Sequence, residues 1–285
     1  MNHTRGAEMM ARVDYKEIRE IIDTSSNLLT GEALFPFAFD ETICREVGSG
    51  RFAPAIHIWR HQHAMILGLR DRKLPHAPEA IRWLESNGFR VGVRNSGGAV
   101  VPLDPGVVNL SLILPSDRGK MEINRDFEIM YELMQSCLKP IFPGIGKGEI
   151  IGSYCPGNFD LSIQGKKFCG IAQRRQTKAF VIQAFVLVEG SGEARGEQVK
   201  QFYDMASGGD TRLKFPIVKP SQMAALAEWE ESVTAEWFVS RVKEVIKGFW
   251  PAREINIYDP VYNESVEKTV TELKNRYLEE KSENK

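Results

Sequence analysis

Gly152-Ser153-Tyr154-Cys155-Pro156-Gly157-Asn158-Phe159-Asp160-Leu161-Ser162-Ile163-Gln164-Gly165-Lys166-Lys167-Phe168-Cys169-Gly170-Ile171-Ala172-Gln173 joins a loop to a strand, a turn and a second strand. Glycine and proline bound a loop that carries a cysteine, because both residues favour turns over regular elements. Phe159 to Ile163 then alternates apolar and polar, Gln164-Gly165 marks a turn, and Lys166 to Gln173 reads as the returning strand. A second long strand, Ala179 to Val188, follows at once. Strand alternation carries one sharp expectation: if Phe168 faces the core, Lys167 and Cys169 face the other way together.

Working outward, helical spacing predicts helices from Asp40 to Val47, Ala77 to Asn87 and Asn124 to Leu138. Ala55 to Arg60 and Ala64 to Leu69 are β-rich runs around the polar His61-Gln62-His63, which reads as a hairpin. Phe89 to Val93 and Val107 to Leu114 add strands. Arg94-Asn95-Ser96-Gly97-Gly98-Ala99-Val100-Val101 makes a glycine turn between β segments. Beyond Glu197 the pattern turns helical, at Glu197–Met205, Ser221–Glu231, Glu236–Phe249 and Tyr262–Lys281. Hairpins with interspersed helices predict an α+β fold, a mainly antiparallel or mixed sheet flanked by helices.

Lys plus Arg number 37 against 38 Asp plus Glu, which removes the basic excess that nucleic-acid binders rely on. With 42% hydrophobic residues, the chain has enough apolar surface for a sizeable core and too much for disorder. The apolar runs fall short of the roughly 20 residues that a membrane helix needs. Charges fill the first thirty residues where a signal peptide would have its apolar stretch, so a cytoplasmic protein with no nucleic-acid or membrane partner is expected.

The four cysteines, Cys44, Cys137, Cys155 and Cys169, form no CxxC pair and no zinc-like spacing. Cys44 and Cys137 fall in helices and Cys169 in a strand, where cysteine serves as a small buried hydrophobe. Cys155, in its loop, is the candidate nucleophile. A thiol needs a neighbour to ionise, and Lys166 and Lys167 lie across the turn, where an ammonium would favour the thiolate. The same lysines equally suit a solvated hairpin end. A partner among His57, His61 and His63 stays open, although their spacing on a strand and turn gives no metal site. Ser96-Gly97-Gly98 suits either a plain turn or a backbone that approaches a ligand.

Four segments, Arg94-Asn95-Ser96-Gly97-Gly98-Ala99-Val100-Val101, Asn109-Leu110-Ser111-Leu112, Gly152 to Ser162, and Gly165 to Arg175, resemble in order and spacing the biotin/lipoate protein ligase superfamily. The resemblance covers residues 45–250, between an N-terminal segment with the first helix, 1–44, and a charged, helical tail, 251–285. Within that superfamily the chain looks most like the octanoyltransferases that move an octanoyl group from the glycine cleavage H protein to lipoyl domains of 2-oxoacid dehydrogenase E2 subunits. The resemblance implies Cys155 as nucleophile through a thioester and Lys167 as its partner, with Lys166 as fallback. It also implies an acyl and substrate site at Arg94, Ser96, Gly97, Gly98, Val100, Phe168 and Gly170, lined further by Val101 and Ile171. No cofactor and no metal are implied. Ligases and carrier-protein transferases of the superfamily place a His-Asp after the glycine motif, whereas Val101-Pro102-Leu103-Asp104 has no histidine there, which favours H protein as donor. Octanoyl-acyl carrier protein as donor, an ATP-dependent lipoate ligase and a non-catalytic lipoyl-binding module are the alternatives. Arg174 and Arg175 are candidates for contact with an acidic lipoyl domain.

Overall fold

The computed structural model describes residues 14–116, 123–210, 212–255 and 260–279. The charges that precede Asp14 and the expected helix end at Lys281 lie outside the described residues. The elements in order are β1 (Glu20–Asp23), α1 (Phe35–Gly48), β2 (Ala55–Trp59), β3 (Ala64–Leu67), α2 (Ala77–Ser86), β4 (Arg90–Val93), β5 (Val101–Leu103) and β6 (Val107–Pro115). Then come α3 (Ile123–Leu138), β7 (Gly146–Lys147), β8 (Leu161–Ile163), β9 (Lys166–Arg175), β10 (Ala179–Leu187), α4 (Gly192–Ser207), α5 (Ala235–Lys247), β11 (Arg253–Ile255) and α6 (Pro260–Glu279).

Eight strands form one mixed sheet in the order β11-β1-β2-β6-β10-β9-β8-β7, parallel where β1 meets β11 and β2 and antiparallel elsewhere. Three more, β4-β3-β5, form a small sheet. The α+β class expected from the sequence is therefore present. Both faces of the large sheet are covered, which is why β6 and β10 read as nearly unbroken apolar runs. One face packs Ile56, Leu110, Leu112 and Ile182 against Met130, Leu133 and Met134 of α3 and Phe238 and Val242 of α5. The other face packs under α1, the small sheet and α4. Each fully buried Leu or Ile contributes about 1.5–3 kcal/mol, so these two layers dominate stability. The segments on either side of 45–250 enter the same body: β1 and β11 pair in the large sheet, and Val266 and Leu273 of α6 join the core beneath α1.

Four local expectations are corrected. β2 and β3 do not make a hairpin: β2 is flanked by β1 and β6, while β3 belongs to the small sheet. His61-Gln62-His63 lacks the Gly, Asn or Asp that tight hairpin turns require, and His61 bridges to Leu29 instead. α1 begins at Phe35 with Pro36 in its first turn, so Asp40 is a buried mid-helix residue and not the start. Residues 221–231 are no α-helix; two short 3-10 turns, Pro220–Gln222 and Leu226–Glu228, replace it. Their backbone is used elsewhere, since the Ala224 N–H donates to the Lys167 carbonyl at 3.0 Å and Ala227 N–H to that of Val188 at 2.9 Å. Finally, alternation breaks at Phe168. Leu161 opposes Cys169 while Ser162 opposes Lys167, which leaves Phe168 as the extra residue of a bulge. Phe168 and Cys169 both pack on the face covered by α3 and α5, and Lys167 turns alone to the opposite face, its ammonium 5.5 Å from the Phe185 ring centre.

Candidate active site

Cys155 has φ 49, in the left-handed region that non-glycine residues enter at a cost of order 1–3 kcal/mol and usually at functional sites. Lys167 explains how that backbone is held. Its ammonium, fully buried, donates to the carbonyls of Tyr154 at 2.9 Å and Cys155 at 2.6 Å and pairs with Asp160 Oδ2 at 2.8 Å. The same carboxylate oxygen accepts the Gly157 N–H at 3.0 Å, so both ends of the loop tie to one buried ion pair. Burial pushes the Asp160 carboxyl up to about 6, against the pull of Lys167 and the Gly157 N–H. Lys166 is exposed.

The sulfur is served from elsewhere. Cys155 Sγ accepts the Ala99 N–H at 3.2 Å and faces Arg94 Nη2 at 3.4 Å. Arg94 is itself fixed to the glycine loop, donating to the carbonyls of Gly97 at 3.1 Å and Ala99 at 2.6 Å. Gly98 must be glycine here: its φ is 107, and a Cβ would stand 2.8 Å from Sγ and 2.4 Å from Arg94 Nη2. The loop rests on a buried support, in which the Tyr203 hydroxyl donates to Asp71 at 2.7 Å and accepts the Val100 N–H at 3.4 Å. Desolvation raises both the Asp71 and the Tyr203 pKa.

Two cavities lie near the cysteine and share Ser96 in their linings. A narrow, mostly apolar channel is lined by Cys155, Arg94, Ser96, Val101, Leu103 and Phe185 among others. The other is an open groove of about 1710 Å³, bordered by Gly97, Gly98, Ser153 and Pro156. Ser96 lines both, and among the described residues its hydroxyl has no hydrogen-bond partner. Ile151, 81% exposed, and Ile217, 63% exposed, flank the groove together with Arg70 and Lys214.

Of the residues expected from the sequence, Cys155, Arg94, Ser96, Val101 and Gly170 line the channel, and Gly97 and Gly98 line the groove. Ile171 borders the channel while its side chain packs toward α3 and α5. Val100 is packed in the core, and Phe168 sits on the far face of the sheet because of the bulge. Arg174 and Arg175 pair internally, with Glu41 at 3.7 Å and with Asp126. Sequence reasoning missed Asp160 and the polar residues Asp40, Asn109, Ser111 and Gln183 beneath the channel. Their available signal was polar residues at alternate positions of apolar strands, Asn109 and Ser111 above all. Among the described residues no group of three or more His, Cys, Asp or Glu is able to hold a metal ion, and no helix is long and apolar enough to cross a membrane.

Residues 32–247 match the family model of the lipoyl protein ligase A/B catalytic domain. The chain belongs to that family. Among lipoyl protein ligase A/B relatives, octanoyl-GcvH:protein N-octanoyltransferase of Geobacillus kaustophilus is 39% identical over 268 residues, 90% of this chain and 95% of the relative. Lipoyl-GcvH:protein N-lipoyltransferase of Listeria monocytogenes is 39% identical over 215 residues, 75% of this chain and 77% of the relative. The crystal structure of lipoate-protein ligase A bound with ATP superposes with a TM-score of 0.66 at 22% identity, over 90% of this chain and 94% of the other, which establishes the shared fold.

Proposed function

We propose that the chain transfers an octanoyl group from the lysine of octanoylated glycine cleavage H protein to the lysine of apo lipoyl domains, through a thioester on Cys155. The observation that carries this reading is the position of Cys155 Sγ, in an apolar channel that shares Ser96 with an open groove, with the Ala99 N–H and Arg94 turned to it. The relatives' names supply the donor and acyl class. The channel takes the acyl chain; the groove, with Ile151 and Ile217 beside Arg70 and Lys214, takes the protein segment that presents the acylated lysine.

In the first half-reaction the Cys155 sulfur attacks the amide carbonyl, the C–S bond forms, the C–N bond breaks, and the thiol proton ends on the departing lysine amine. In the second, the acceptor lysine attacks the thioester, C–N forms and C–S breaks, and the amine proton returns to sulfur. One amide replaces another, so no nucleotide is consumed. Arg94 and the Ala99 N–H stabilise negative charge on sulfur and on the adjacent acyl oxygen. Lys167 holds the cysteine main chain, its ammonium engaged by the Tyr154 and Cys155 carbonyls and the Asp160 carboxylate.

The test mixes octanoylated H protein, apo lipoyl domain and enzyme without ATP and follows octanoyl on the lipoyl domain by mass. Transfer by the wild type that Cys155→Ala abolishes is expected. Transfer only from octanoyl-acyl carrier protein, or only with ATP and free acid, would replace this reading by one of its relatives' chemistries.

A further inference from the structure

The floor of the channel is built in rows. Cross-strand register places Trp59, Asn109, Phe185 and Gly170 side by side in one row and His57, Ser111, Gln183 and Ala172 in the next. Two residues along a strand separate the rows by about 6.6 Å. The first row lies beside the reacting end, since Phe185 sits under the Lys167 ammonium and a Cβ on Gly170 would meet Phe185 at 2.5 Å and Lys167 Cε at 3.3 Å. Ser111, Gln183 and Ala172 of the second row also line the channel, whereas Ala55, Ile113 and Val181 of the following row are core. The channel therefore closes on the second row.

That row is polar and tied to one buried carboxylate. Asp40 of α1 accepts from Ser111 Oγ at 2.6 Å and Gln183 Nε2 at 2.9 Å and pairs with His57 Nδ1 at 2.8 Å. Gln183 Oε1 is buried and has no hydrogen-bond partner among the described residues. We propose that this Asp40–Ser111–Gln183 hub, with Ala172 beside it, is the gauge that sets where the acyl chain ends and hence which chain length the enzyme prefers. An apolar chain pushed past the second row must break bonds to a buried carboxylate, which is costly for the acceptor left behind. A chain that stops short leaves unfilled space against the same row, with loss of packing. Both errors are penalised. The gauge rests on the reading of this channel as the acyl site.

The experiment offers the full-length enzyme an equimolar mixture of H protein carrying hexanoyl, octanoyl or decanoyl on its lysine, with apo lipoyl domain as acceptor. Mass spectrometry of the acceptor reads the product ratios. Gln183→Ala opens the second row and should raise the decanoyl-to-octanoyl ratio at least about tenfold, the scale of discrimination between chains that differ by methylenes. Ala172→Val fills it and should raise the hexanoyl-to-octanoyl ratio by a similar factor. Ratios within about twofold of wild type in both variants would overturn the gauge. So would variants folded by circular dichroism that transfer none of the three, because a gauge of chain end leaves some chain that fits. A wild-type enzyme that transfers none of them would instead overturn the acyl-transfer reading, and that outcome shows in total product and not in the ratios.

Discussion

Cys155 meets the rest of the molecule through its sulfur and through its carbonyl, and the two sides are built from different materials. At the sulfur stand a backbone N–H and a guanidinium, both belonging to the glycine loop, and the sulfur's residue lines the apolar channel. At the carbonyl stands a sealed ion pair, Lys167 with Asp160, packed beneath the 223–224 segment. The difference separates two tasks. Reactivity needs polarity next to space for a substrate, whereas holding a left-handed cysteine needs directional bonds that water cannot enter. The motif lysine thus serves the backbone of the nucleophile, while an arginine more than sixty residues earlier serves its sulfur.

The hardest way to break that division is Lys167→Ala. It strands the Asp160 carboxylate and two carbonyls in the core, and it should cost about 3–5 kcal/mol in urea unfolding together with most of the transfer activity. Arg94→Lys probes the other side. It keeps the charge but loses the planar fork that spans two carbonyls and the sulfur. Transfer should fall about 10²-fold, and alkylation of Cys155 at a fixed pH should slow, with a smaller loss of stability than Lys167→Ala. An unchanged alkylation rate would return the sulfur to Lys167. The subtlest effect is in pH. Folding raises the Asp160 pKa from 3.8 to about 6, so between these values the folded chain holds more protons than the unfolded one. Its contribution to stability is full below pH ~4 and is lost as pH rises through ~6, and Asp160→Asn should flatten this part of the urea-midpoint profile. Equal slopes in the two proteins would contradict the burial of that carboxyl.

The sequence makes half of this arrangement readable. The alternation from Phe159 to Ile163 and the run from Ala179 to Val188 gave their strands, and the glycine loop and Cys155–Lys167 pattern pointed to the site. Asp160 carries no signal of its role in the sequence, because an aspartate near Gly157 and Asn158 looks like an ordinary turn residue. Lys167 and Cys169 part company through a bulge that no two-residue periodicity encodes. The Asp40 hub depends on a helix and three strands drawn from positions 40, 57, 111 and 183, and such long-range convergence exists only in the folded chain. Asp40 was also hidden by its own residue type, since an aspartate ahead of an apolar helical pattern resembles an N-cap.

The most direct test of the account is the intact mass of the enzyme itself, quenched at low pH moments after mixing with octanoylated H protein and no acceptor. One octanoyl adduct is expected that hydroxylamine removes, that Cys155→Ala lacks, and that disappears when apo lipoyl domain is added. Full transfer activity without any adduct on Cys155, or an adduct that persists in Cys155→Ala, would contradict it.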